Sequence, residues 1–199
     1  MDRIKAFALK YRGVMIAAAV VLFFAMYFLS IHIRRPADTW FYAAFINEYN
    51  TVGKGSRIYD DFLSLDEARG KNVVFDSNYF FDLSKESDYA NRYYQKLVAH
   101  IEAGTVDVMI LSEDNLSGIA RGGRFLDLRD ERVADGLSPY KENFYYYTTD
   151  EGESIPIGIR LVGGSYRDEL GYLEDVYVAV SPKCDNPQAA LLFIEMLMK

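Results

Sequence analysis

Apolar residues fall along this chain in two regimes. The first is one unbroken run, Gly13–Ile33, GVMIAAAVVLFFAMYFLSIHI, without a formal charge. After it come short apolar runs alternating with stretches of helical spacing, the pattern of an α/β sheet. Trp40–Asn47, WFYAAFIN, reads as a first strand, with a short helix as its competitor. Ser56–Ala68 places Ile58, Phe62 and Leu65 at helical spacing before Gly70. Lys71–Phe75 gives a second strand, with Asp76, Ser77 and Asn78 at its carboxyl end. The strongest helix starts around Ser84–Ser87, where hydroxyl and acidic side chains suit free N–H groups. Tyr89, Tyr93, Leu97 and Ile101 recur every four residues, Tyr94 and Val98 widen the stripe, and Gly104 stops it. Val106–Leu111 is nearly continuous in apolar residues, as in strands buried on both faces of parallel sheets.

Ser112–Asn115 then turns into a short helix through Ile119 and Ala120, and Phe125–Leu128 is followed by an acidic, irregular segment to Tyr140. Phe144–Thr148 and Ile155–Leu161 read as strands around the turn-rich Asp150–Glu153. Ser165–Leu173 suggests a small helix and Val176–Val180 a final strand. Asn186 and Pro187 suit the cap and first position of a last helix, whose Ala190, Phe193, Ile194 and Leu197 form a sheet-facing side. The expectation is a single doubly wound, mostly parallel α/β sheet over residues 39–199.

The unbroken run divides the rest of the chain. About 20 apolar residues match the roughly 30 Å core of a bilayer, whereas a signal-peptide core runs to about 7–15 and ends at a small-x-small site. The small residues Ala17–Ala19 come too early for such a site, and Arg34, Arg35 and Pro36 follow. The reading is a retained single-pass signal anchor at 14–33, between a cytoplasmic tail at 1–13 and a linker at 34–38. A cleaved signal and a buried core helix are the competing readings. Arg3, Lys5, Lys10 and Arg12 precede the run and only Arg34 and Arg35 follow closely, which places the N-terminus inside and residues 39–199 outside the cell.

Charge sharpens that division. Residues 1–35 carry six Lys/Arg and one Asp; with a total of −7, residues 36–199 carry −12. An acidic outer domain disfavours nucleic acid and other polyanions as partners. The single Cys184 excludes an internal disulfide and a cysteine metal cluster. Histidines are confined to His32, in the apolar run, and His100, on the amphipathic helix, so no triad around a histidine stands out. Gly53-Lys54-Gly55-Ser56 resembles a phosphate loop only superficially, because the required spacing is missing. No enzyme activity, metal or cofactor is expected.

Several segments together resemble one family. KLVAHIEAGTVDVMILSEDNLSGIARGGRFLDLRD, then Ile155–Ile159, then VYVAVSPKCDNPQAALLFIEML, resemble the first lobe of bacterial extracellular solute-binding proteins of the sugar ABC-transport type. The resemblance covers about Lys71 to Lys199 and extends to membrane-anchored Gram-positive relatives of unassigned function. It implies binding of a small solute such as a sugar, with a transporter as partner. A typical member has two lobes, and Leu128–Ile155 is too short for the second, since a domain needs at least about 50 residues. The other half of the cleft would then come from a second copy, from a partner chain, or from nowhere at all. An envelope structural protein that keeps the lobe without the ligand is the alternative.

Open α/β sheets bind ligands outside the carboxyl ends of their strands. That rule selects Asn47, then Asp76 and Ser77, then Ser112, Glu113 and Asp114. Their hydroxyls and carboxylates suit sugar hydroxyls or an ammonium group, but the same residue types also favour turns and caps. Trp40 is a candidate stacking platform, with an interfacial anchor or a core position as alternatives.

Overall fold

The computed structural model describes residues 18, 20–24, 39–50, 52–163, 165–172 and 174–199. The chain divides into two units, Met1–Arg34 and Arg35–Lys199. In the first, residues 18 and 20–24 are helical; the rest of the expected anchor lies outside the described residues. Among the described residues no helix is long and apolar enough to cross a membrane.

Among the described residues the second unit holds six strands: β1 (Thr39–Ile46), β2 (Asn72–Tyr79), β3 (Val108–Ser112), β4 (Phe144–Thr148), β5 (Ser154–Arg160) and β6 (Val176–Val180). Its helices are α1 (Arg57–Ser64), α2 (Arg92–Glu102), α3 (Glu113–Ala120), α4 (Ala134–Leu137), α5 (Ser165–Leu170) and α6 (Pro187–Leu197). The sheet order is β2-β1-β3-β6-β5-β4. β1 is parallel to both β2 and β3, while the β3–β6, β6–β5 and β5–β4 pairs are antiparallel. The sheet is therefore mixed, with β1, β2, β3 and β5 pointing the same way.

Strand residues alternate between two faces, and both faces are covered. Phe41, Ala43 and Phe45 of β1 join α1 and α6 in one core, with Phe62 and Phe193 fully buried. Tyr42, Ala44 and Ile46 join α2 and α3 in the other, around Leu97, Ile101, Leu116 and Ile119. The chain steps from β1 out to β2 and then back across β1 to β3. Right-handed crossovers in opposite directions put α1 and α2 on opposite faces, which makes the sheet doubly wound. They also make the carboxyl end of β1 a point where the winding reverses.

Local chemistry explains most boundaries. Ser56 caps α1 by accepting from the Tyr59 N–H at 3.3 Å. Asn186 caps α6 by accepting from the Ala189 N–H at 3.1 Å, with Pro187 at the first position. Asp107 is fully buried ahead of β3; its carboxylate accepts from the backbone N–H of Tyr42 at 2.8 Å and of Asp185 at 3.2 Å, tying β1 and the approach to α6 together. Trp40 stacks on Phe62 with ring centres 6.2 Å apart and packs against the α1/α6 core.

Three expectations change. β2 does not stop at Phe75 but runs to Tyr79, with a register irregularity opposite Ala44–Ile46. The strongest helix starts at Arg92 rather than at Ser84–Ser87, because Asn91 accepts from the Tyr93 N–H at 2.8 Å while Glu86–Ala90 forms a separate 3-10 turn. The irregular segment before Tyr140 contains the single turn α4 and a 3-10 stretch at Ser138–Asn143.

Candidate functional site

A cavity of about 430 Å3 opens at the carboxyl ends of β1 and β3. Asn47 and Tyr49 reach it from β1, and Ser112, Asp114 and Asn115 from β3 and the start of α3. The segment after β2 supplies its outer wall, Phe80, Phe81, Asp82, Ser84 and Lys85 with Asp88, and Glu174 closes it from the approach to β6. This is the point of winding reversal, where open α/β sheets leave a crevice for ligands.

Two asparagines fix that outer wall. Asn47 adopts φ 58, the only left-handed non-glycine residue among those described, and this turns the chain sharply out of β1. Its backbone N–H donates to Tyr79 O at 2.8 Å, its amide donates to Phe81 O at 2.7 Å, and its amide oxygen accepts from Phe81 N–H at 3.0 Å. From the other side Asn115, 2 % exposed, accepts from Leu83 N–H at 3.0 Å and donates to Phe81 O at 3.3 Å. Both side chains are therefore spent on holding Phe81–Leu83 in place.

Other polar groups face the cavity with capacity to spare. Asp82 is engaged by Lys85 at 2.7 Å and by Ser84, which hold its carboxyl below the usual carboxylate range. Asp88 accepts from Asp82 N–H at 2.8 Å. For the side chains of Asp114 and Glu174 no hydrogen bond or ion pair is found among the described residues. Ser112 is 5 % exposed, and its hydroxyl has one described partner, the Asn115 amide, which donates to it at 3.4 Å. The hydroxyl proton is thus uncommitted. Tyr49 is 84 % exposed and lies against Phe80, with ring centres 5.3 Å apart.

The six residues selected from sequence separate in space. Asn47, Ser112 and Asp114 meet at the cavity. Glu113 faces β6 instead, where it accepts from the Tyr177 hydroxyl at 3.2 Å. Asp76 and Ser77 lie inside β2, because that strand continues past them. Asp76 belongs to a different cluster beneath α2: its carboxylate accepts from the Tyr42 hydroxyl at 2.7 Å and pairs with Lys96 at 3.1 Å, while the Tyr42 and Tyr79 hydroxyls meet at 3.1 Å. Burial acts to raise the Asp76 carboxyl, but Tyr42, the Asn78 N–H and Lys96 together keep it below its ordinary value. Burial drives the Tyr42 and Tyr79 hydroxyls far upward, so both stay protonated.

His100 sits beside this cluster. Its Nδ1 is 2.8 Å from the Thr105 hydroxyl, which already donates to His100 O at 2.9 Å. The ring nitrogen must therefore be the donor, Nδ1–H. Burial and then Lys96 lower the His100 pKa, favouring the neutral ring. With every member of the cluster bonded, it braces β1, β2 and α2.

Sequence reasoning missed Tyr49, Phe80, Asp82, Asp88, Asn115 and Glu174 as cavity residues. The available signal was the strand-end rule itself: applied after Tyr79 rather than Phe75, it selects Phe80 to Lys85. Among the described residues no group of three His, Cys, Asp or Glu side chains is placed to hold a metal ion. Comparison with protein-family models, curated proteins and solved structures gives no match.

Proposed function

We propose that residues 39–199 form a solute-binding-like domain displayed outside the cell on the N-terminal anchor at 14–33, an accessory to uptake or sensing of a sugar or other small solute. One observation carries this reading. The cavity lies where the sheet winding reverses, and at about 430 Å3 it falls in the range of small-molecule sites. Binding rather than catalysis suits its lining, in which carboxylates, the Ser84 and Ser112 hydroxyls and an aromatic pair converge. Its outer side is open, so a transporter or another partner chain would complete the enclosure.

Thermal denaturation of the full chain in neutral detergent, against a panel of sugars, oligosaccharides and amino acids, tests the reading. A true ligand at about 100 times its Kd adds about 2.7 kcal/mol of stability. A flat response across the panel overturns it and favours an envelope structural or interaction protein. That second reading draws support from Asn47 and Asn115, whose amides serve the fold alone.

A further inference from the structure

We infer that the cavity selects a small organic cation bearing an oxygen acceptor, a conclusion that rests on the solute-binding reading and narrows its ligand class. Four carboxylates line the cavity, those of Asp82, Asp88, Asp114 and Glu174, against one ammonium, that of Lys85. Lys85 is spent on Asp82 at 2.7 Å, whereas Asp114 and Glu174 have no counter-charge among the described residues. The field inside the cavity is negative, which concentrates cations and repels anions. Beside these carboxylates, Tyr49 and Phe80 present an aromatic pair, and Tyr49 is 84 % exposed. Aromatic faces attract ammonium groups and also accept the apolar side of a ring.

A separate observation points to the acceptor. Ser112 is 95 % removed from solvent, lines the cavity, and holds a hydroxyl proton with no acceptor among the described residues. A ligand oxygen answers that donor, as a hydroxyl or carbonyl of the bound solute would. The carboxylates and this hydroxyl together specify an ammonium group and an oxygen on one small molecule. A neutral polyol satisfies only the second requirement, and an anion opposes the first.

Titration calorimetry on the full chain in neutral detergent, at low salt and about pH 6, compares glucosamine, glucose and gluconate, which share one carbon skeleton and differ in charge. Two exposed ion pairs of ordinary strength place glucosamine about tenfold tighter than glucose. Asp114→Asn and Glu174→Gln each weaken glucosamine by about twofold to fivefold. Lys85→Met, which removes the lone cavity cation, tightens it, and Ser112→Ala weakens glucosamine and glucose alike. Equal or tighter binding of glucose or gluconate, or affinities unmoved by both carboxylate variants, overturns cation selection while leaving solute binding intact. No binding by any probe, here and in the solute panel, overturns both.

Discussion

Replacing Asn47 separates a positioning role from a ligand contact. The residue stands at φ 58, and its side chain makes two hydrogen bonds to the Phe81 backbone, at 2.7 and 3.0 Å. Asn47→Ala removes both bonds, at about 1 kcal/mol each, and leaves the Phe81 N–H without its acceptor while Phe81 O keeps the Asn115 amide. Holding a Cβ-bearing residue with no compensating side-chain bond in the left-handed region adds about 1 kcal/mol. The expected loss is about 3 kcal/mol, or about 6–12 °C in Tm for a domain of this size. Asn47→Gly loses the same bonds without the backbone strain, so its loss is about 2 kcal/mol. Urea unfolding followed by the fluorescence of Trp40, the single tryptophan, measures both, since that ring packs on Phe62 in the folded state. An alanine variant within about 0.5 kcal/mol of the parent, or a glycine variant no better than alanine, refutes the reasoning. Unchanged stability with weakened solute binding would make Asn47 a ligand contact instead.

Three further outcomes follow from the packing and titration of the domain. Phe193→Ala empties a fully buried position 5.2 Å from each of the Phe41, Phe62 and Phe75 rings, and urea unfolding should register a loss of roughly 3–5 kcal/mol. Asp76 has its pKa lowered by folding, so its contribution is present above the unfolded carboxylate range and is lost as pH falls through the folded value; Asp76→Asn should flatten the acid side of a stability-versus-pH curve, and an unchanged slope counts against the Tyr42–Asp76–Lys96 pairing. Glu48 is 2 % exposed with Oε2 unpartnered among the described residues, and burial raises its pKa, so its contribution is full below the unfolded value and declines as pH rises through the folded one. Glu48→Gln should therefore gain on the parent as pH rises above the unfolded carboxylate range, and parallel curves would show that the carboxyl is not desolvated.

How much of this was legible depended on whether a residue's partners lie nearby in sequence. β3 and β6 are buried along their whole length, and their unbroken apolar runs announced them. The cap at Asn186 acts within three residues, so residue type and position sufficed. β2 was cut short because Asp76-Ser77-Asn78 looks like a turn until Tyr42 and Lys96 are known to satisfy Asp76 from β1 and α2. Strand direction in β4, β5 and β6 is invisible to periodicity, since parallel and antiparallel partners bury the same residues. Asp107 reads as an ordinary strand-edge acid, yet its backbone partners lie 65 and 78 residues away. The cavity inherited the error in β2: Phe80–Asp82 fell between the expected strand and helix, and Ser84, Lys85 and Asp88 fell at the expected start of the helix.

The rule that places polar residues at strand ends gathers two populations, and unspent hydrogen-bonding capacity separates them. Asn47 and Asn115 exhaust their amides on Phe81 and its neighbours, Asp107 accepts from two backbone N–H groups and the Cys184 thiol, and Glu113 takes the Tyr177 hydroxyl. Removing any of these costs the fold first, because the partner left behind is buried or part-buried. Ser112 and Asp114 differ: the first keeps a proton and the second a whole carboxylate, both at the cavity. Natural folds leave few buried polar groups unanswered, so a donor retained beneath an opening has a stronger claim to a ligand than a bonded one. By that criterion Ser112 is the member of the sequence-selected set with the strongest claim on the proposed solute; Asp114 lies beside it at the cavity, and Asn47 braces the Phe81 backbone. Glu174, distant in sequence and delivered by the approach to β6, replaces Glu113 as their acidic counterpart.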